Sequence, residues 1–212
     1  MATVNSSRLS SAVTLLACAA SVVLASTACG SPTNTSSTSS ASTPAPADVL
    51  TRPTIIATAG ACPTTAPQNG GPPEWTLAGT TGSVAVTGST DTAAPRVTVT
   101  PPFSVAQTQV HTLHAGDGPV VPSTARVSVC YMGVNGRDGS VFDTTYERGA
   151  PVDFPLGGVV PGFQKAIAGQ KVGSTVAVAM TSADGYPNGQ PGAGILPGDS
   201  LIFAIKILSS SS

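Results

Sequence analysis

Short runs in which every second residue is apolar, each closed by glycine or proline, constrain this chain more than anything else in it. Ser83–Thr87 places Val84 and Val86 in phase, and Arg96–Thr100 does the same with Val97 and Val99. Gln107–Leu113, Arg126–Met132, Ser140–Asp143, Val152–Leu156, Thr175–Met180 and Leu201–Leu208 repeat the pattern or extend it as apolar runs. A period of two is the signature of a strand with one face turned to a core. The 23 glycines and 19 prolines favour turns over long helices. Asn135-Gly136 and Asp138-Gly139 are strong turn signals ahead of Ser140–Asp143. One helix fits the pattern. It starts near Pro161, a favourable first-turn residue, stops at Gly169, and puts Phe163, Ala166 and Ile167 on one face. A helix of about two turns must be stabilised by packing on a sheet. The expected fold is therefore α+β, mostly antiparallel β, with no internal repeat and one core.

The first part of the chain reads differently. Arg8 supplies a positive charge before a small apolar stretch from Ser11 to Ala25, which is too short for a comfortable membrane span and suits an export signal. Ser26-Thr27-Ala28 precedes Cys29, which looks like the acceptor of a lipoprotein signal; cleavage after Ala28 by an ordinary signal peptidase is the alternative. From Ser31 to Pro46 nearly every residue is Ser, Thr, Ala or Pro, and no residue between Leu9 and Ala47 is charged. Such a segment buries too little apolar surface to offset its ordering entropy, so a flexible tether is expected. The expected organisation is a signal over 1–28, a tether over 29–58, an extension with short strands over 59–106 and a main domain over 107–212. This predicts an exported protein held on the outer face of the membrane by a lipid on Cys29, or else a secreted one.

Composition and motif spacing exclude several chemistries. Only 9% of residues are charged and the net charge is −1, so neither nucleic acid nor an anionic membrane surface is an expected partner. His111 and His114 lack an evident third ligand, so no metal site is expected. Gly157-Gly158 and the glycines from Gly189 to Gly194 lack the lysine of a phosphate loop, and there is no Gly-x-Ser-x-Gly elbow.

Five stretches carry a specific resemblance. They are Val129-Cys130-Tyr131-Met132-Gly133, Val141-Phe142-Asp143, the segment from Val152 to Phe163, Asp184-Gly185-Tyr186, and the segment from Gly194 to Phe203. In order and spacing, across roughly Gln107 to Leu208, they resemble the FKBP-type peptidyl-prolyl cis-trans isomerases, and among them the exported lipoprotein members of actinobacteria. The resemblance implies a curved antiparallel sheet wrapped around one short helix, here with an added N-terminal β extension. It implies a proline pocket in which Asp143, Tyr186, Phe142 and Val160 are the catalytic set, the Val160 N–H and the Tyr186 hydroxyl donating to ligand carbonyls. Tyr131, Phe154, Val159, Phe163, Ile195, Leu196 and Phe203 would bind the substrate, with Phe163 as the floor.

The implied partners are proline-containing segments of exported proteins, and macrolides such as rapamycin; the protein is expected to be a monomer, to touch a membrane only through its lipid, and to need no cofactor. The sequence departs from the family at Phe163, where most members have Trp, at Val152, where an aromatic is usual, and at Pro187, where Gly commonly follows the tyrosine. A non-catalytic binding module or holdase of the same fold is therefore the alternative function.

Removal of Cys18 with the signal and lipidation of Cys29 would leave Cys62 and Cys130, and two cysteines in an exported domain invite a disulfide. Tyr131 points into the pocket in the family, so Cys130 would face the other way, where an extension carrying Cys62 could be pinned. The alternative is a free Cys62 and a Cys130 that only fills space.

Overall fold

The computed structural model of the protein describes residues 60–67 and 71–212; the expected signal, Cys29 and the tether lie outside the described residues. Strands β1 (Trp75–Ala78), β2 (Thr81–Thr87) and β3 (Arg96–Ser104) form one antiparallel sheet. Strands β4 (Gln109–His114), β5 (Arg126–Asn135), β6 (Val141–Thr144), β7 (Val152–Pro155), β8 (Thr175–Met180) and β9 (Leu201–Ser211) form a second, in the order β4-β8-β9-β5-β6 with β7 also on β5. The helix α1 (Pro161–Ile167) crosses one face of this larger sheet. The fold is the α+β arrangement expected, a curved antiparallel sheet around a single short α-helix. No helix among the described residues is long and apolar enough to cross a membrane.

The centre of the larger sheet is buried on both faces, and the sequence of its strands shows how. On β9, Leu201, Phe203, Ile205 and Ile207 join the cluster under α1, while Ile202 and Ala204 point the other way. On β8, Val176, Val178 and Met180 face α1 and Ala177 and Ala179 face the extension. Large residues fill the helix side. Small ones on the far side let the three-stranded sheet pack against them with Val84, Val86 and Phe103. All six residues of β8 are buried, although it sits one strand from the edge.

The strand at Trp75–Ala78 was not anticipated. Trp75 reads from sequence only as a packing residue. Its indole lies flat on the His111 ring, with centroids 5.6 Å apart and planes 4° from parallel. Next to it the Glu74 carboxylate lies 3.0 Å from His114 Nε2. The two histidines thus tie β4 to the start of β1.

α1 can lie close to the sheet because its second residue is glycine. A Cβ at Gly162 would fall 2.8 Å from Met180 Sδ. Phe163, Ala166 and Ile167 are buried beneath it. The helix ends at Ile167 rather than running on to Gly169, since the Ala168 N–H closes the last turn on the Gln164 carbonyl and Ala168 itself is extended. Gly169 then takes a positive φ of 80° to turn the chain back toward β8.

Cys62 and Cys130 are joined by a disulfide, with Cα atoms 5.6 Å apart. Both are buried, in a small cluster with Ala94 and Tyr146. Tyr131 and Cys130 point to opposite sides of β5, so the bond fastens the extension to the outer face of the sheet. The closed loop spans 68 residues, and removing it frees the denatured chain. We expect the Cys62→Ala, Cys130→Ala double variant to lose about 2–4 kcal/mol of stability in urea unfolding. An unchanged midpoint would show that packing alone holds the extension.

Candidate active site

β5 has β9 along one edge and two short strands along the other. β7 pairs with Arg126–Val129 and β6 with Met132–Val134, which leaves Tyr131 between them. Thr145 fills that gap: its N–H donates to the Tyr131 carbonyl (3.0 Å), and its Oγ1 accepts from the Tyr131 N–H (2.8 Å). The backbone of Tyr131 is therefore fixed on this edge as well, although neither β6 nor β7 reaches it. Two residues on, Gly133 leaves room that a side chain would fill. A Cβ there would sit 2.7 Å from Phe142 and 2.8 Å from Phe203.

These side chains close around Phe163. Its ring stands edge-on to Phe203 (5.0 Å), Phe154 (5.6 Å) and Tyr131 (5.6 Å), and Phe142 is edge-on to Phe203 (5.5 Å). Edge-to-face pairs at these separations are favourable beyond the area they bury. They frame a cavity of about 380 Å³ lined by Tyr131, Phe142, Asp143, Val152, Phe154, Gly158, Val159, Val160, Phe163, Tyr186 and Phe203.

The polar groups at the cavity are few and fixed. The Tyr131 hydroxyl donates to Asp143 Oδ2, and Arg148 Nη1 donates to Asp143 Oδ1 at 2.8 Å. Burial, and then the Asp143 carboxylate, push the Tyr131 phenol up to about 12, so it remains a neutral donor. Burial works to raise the Asp143 carboxyl. The hydrogen bonds from Tyr131 and Arg148 together outweigh it and hold the group below its ordinary value, so Asp143 is an anion. The Val160 carbonyl accepts from Phe163 and Gln164 at the start of α1, and its N–H has no acceptor among the described residues.

Tyr186 is held through its backbone. Its carbonyl accepts from Gly189 N (2.9 Å) and from Ser182 Oγ (3.2 Å), and Ser182 Oγ in turn accepts from Gly198 N (3.1 Å). Asp184, two residues earlier, binds Lys165 Nζ of α1 at 2.7 Å and the Thr108 hydroxyl. The Asp184-Gly185-Tyr186 stretch is thus tied to the helix that carries Phe163.

Of the site residues expected from sequence, Tyr131, Phe142, Asp143, Phe154, Val159, Val160, Phe163, Tyr186 and Phe203 come together around the cavity. Ile195 and Leu196 are not among the lining residues, although Ile195 belongs to the same buried cluster as Phe163 and Phe203. Ile195 is buried in the core and Leu196 is 51% exposed. The cause is local: Gln190 and Ile195 form a β-bridge, and the buried Asp199 carboxylate accepts from the Leu196 N–H (2.9 Å), turning successive side chains in and out. Arg148 was not anticipated, and the sequence signals it only as a cation five places after Asp143. Val152 and Gly158 line the cavity too; Val152 was marked by its alternation with Phe154 but read only as a missing aromatic.

Comparison with known proteins places this arrangement. Residues 118–208 match the FKBP-type peptidyl-prolyl cis-trans isomerase family. The chain is 34% identical over 112 residues to the FK506-binding protein of Streptomyces anulatus, covering 51% of this chain and 88% of that one. It is 34% identical over 96 residues to the probable FK506-binding protein of Corynebacterium glutamicum, covering 45% of this chain and 80% of that one. The chain belongs to the FKBP-type peptidyl-prolyl cis-trans isomerases. The FKBP-type 22 kDa peptidyl-prolyl cis-trans isomerase of Escherichia coli is 35% identical over 100 residues, and the match spans 48% of its length. In this FKBP-type chain the matched region begins after β4, so β1, β2 and β3 lie wholly outside it.

The depressed Asp143 carboxyl makes a stability prediction. A carboxyl whose pKa is lower folded than unfolded contributes stability that is present above its unfolded pKa and fades as pH falls through its folded pKa. Asp143→Asn is therefore expected to be less stable than the parent by a constant amount above about pH 4, with the gap narrowing only as pH falls below the ordinary carboxyl value of about 3.9. Urea midpoints at a series of pH values measure it. A gap independent of pH would mean that the charge of Asp143 contributes nothing.

Proposed function

We propose that this cavity isomerises X–Pro bonds in exported proteins by taking up proline in a dry aromatic cup, without covalent or metal chemistry. The observation that carries the reading is the cluster around Phe163, open on one side and bordered by one anion and free donors. An X–Pro amide rotates slowly because its C–N bond has partial double-bond character, with a barrier of about 18–20 kcal/mol. The planar amide is the more dipolar form and is the better solvated by water. Transfer into an apolar cup favours the twisted transition state, and a donor such as the Tyr186 hydroxyl or the Val160 N–H holds the carbonyl as it rotates. Phe142, Phe154 and Phe163 grip the pyrrolidine ring by shape. No lining residue is Ser, Cys, Lys or His, which fits a reaction needing no nucleophile.

The buried disulfide supports an oxidising, extracytoplasmic setting. Macrolides such as rapamycin are proposed competitors for the same cup.

The purified protein is expected to accelerate cis-to-trans conversion of an X–Pro peptide, with rapamycin suppressing the rate. Tyr186→Phe should lower kcat/KM about three- to tenfold, the worth of one hydrogen bond. A folded protein without acceleration would instead be a binding module or holdase.

We further propose that Cys29 carries the lipid, a reading that rests on the small residues before it and the uncharged tether after it. Cys29→Ala is expected to move the protein from the membrane to the soluble fraction of cells; continued retention would refute a lipid at this position.

A further inference from the structure

Beside the proline cavity lies a second recess of about 200 Å³ lined by Val141, Phe142, Asp143, Thr144, Glu147 and Arg148. It shares Phe142 and Asp143 with the proline cavity, so the two adjoin at these side chains. A chain whose proline sits in the aromatic cup has a neighbouring residue within reach of this recess. We propose that the recess is a subsite for a residue flanking the proline, and that Glu147 makes it favour lysine or arginine there. The inference rests on the isomerase reading of the adjoining cavity.

The chemistry of the lining sets the preference. Arg148 is matched by Asp143 at 2.8 Å. Glu147 has no ion-pair partner among the described residues, so the recess carries one uncompensated negative charge. Its apolar wall is Val141, which is 48% exposed with no partner cluster over it. An aliphatic wall leading to a lone carboxylate suits a side chain with a methylene stem and a cationic head, which buries the stem and leaves the charge in water. An acidic residue would meet the same carboxylate and be disfavoured.

The test measures kcat/KM of the full-length protein on X–Pro peptides that differ at one position. The residue on either side of proline, one and two places away, is Lys, Ala or Glu in turn. At one of these positions Lys is expected to exceed Glu by about two- to fivefold at low ionic strength, the range of a single exposed charge interaction, and the ratio should fall toward one at about 0.5 M salt. Glu147→Gln should abolish the ratio, and Glu147→Lys should invert it. Because each variant is read as a ratio between peptides, a change in its overall rate cancels. Turnover of the Ala peptides with equal Lys and Glu rates at every position would overturn the subsite and leave the isomerase intact. A Lys preference that survives Glu147→Gln would overturn the role of Glu147. No turnover of any peptide would remove the isomerase reading, and the subsite with it.

Discussion

Gly162 lets α1 settle against Met180, and that contact distance sets the depth of everything above it. With the helix so close, Phe163 reaches the middle of the sheet and touches Phe203 on β9, Tyr131 on β5 and Phe154 on β7. One ring thereby fixes the relative positions of three strands and the floor of the cavity. A seven-residue helix has almost no stability of its own, so its position is dictated by this packing. The same logic repeats at Gly133, where the missing side chain is the space occupied by Phe142 and Phe203. Close packing in a core leaves little slack, so two glycines far apart in sequence control one pocket.

The polar side of the site is built with the same economy. Asp143 is held from two directions, by Tyr131 and by Arg148, and the cation that pairs with it is itself exposed. Tyr186 is positioned through its carbonyl, so its hydroxyl is not spent on holding the loop. Ser182 connects the two ends of that loop, since it bonds both Tyr186 and Gly198. A preorganised donor costs nothing to orient when charge shifts in the substrate.

Much of the fold was legible because its signals are local. Thr175–Met180 alternates Val with Ala, and that alternation encodes both the strand and the different depths of its two faces. Pro161 and Gly169 bracket the helix to within two residues. The extension was harder to read. Trp75–Ala78 is short and depends on partners in β2 and β4. The Cys62–Cys130 pairing needed the direction of Cys130, which came from the resemblance at Tyr131 and not from spacing. At the site, the aromatic residues could be gathered by family position. Ile195 and Leu196 could not be oriented this way, because the loop that carries them is shaped by local contacts, a bridge from Ile195 to Gln190 and a hydrogen bond from the Leu196 N–H to Asp199. Arg148 is exposed and unremarkable in sequence; only the folded position of Asp143 gives it a role.

The covalent ring closed by Cys62 and Cys130 contains the whole three-stranded sheet. Tension arriving through residues that precede Cys62 therefore passes straight across the sulfur bridge into β5. The sheet of β1, β2 and β3 carries none of that load and cannot be peeled away strand by strand. β5 receives the pull between β9 on one side and β6 and β7 on the other, where shearing requires many hydrogen bonds to break together. A domain anchored in this way can be dragged by its leading segment while the strand bearing Tyr131 keeps its shape.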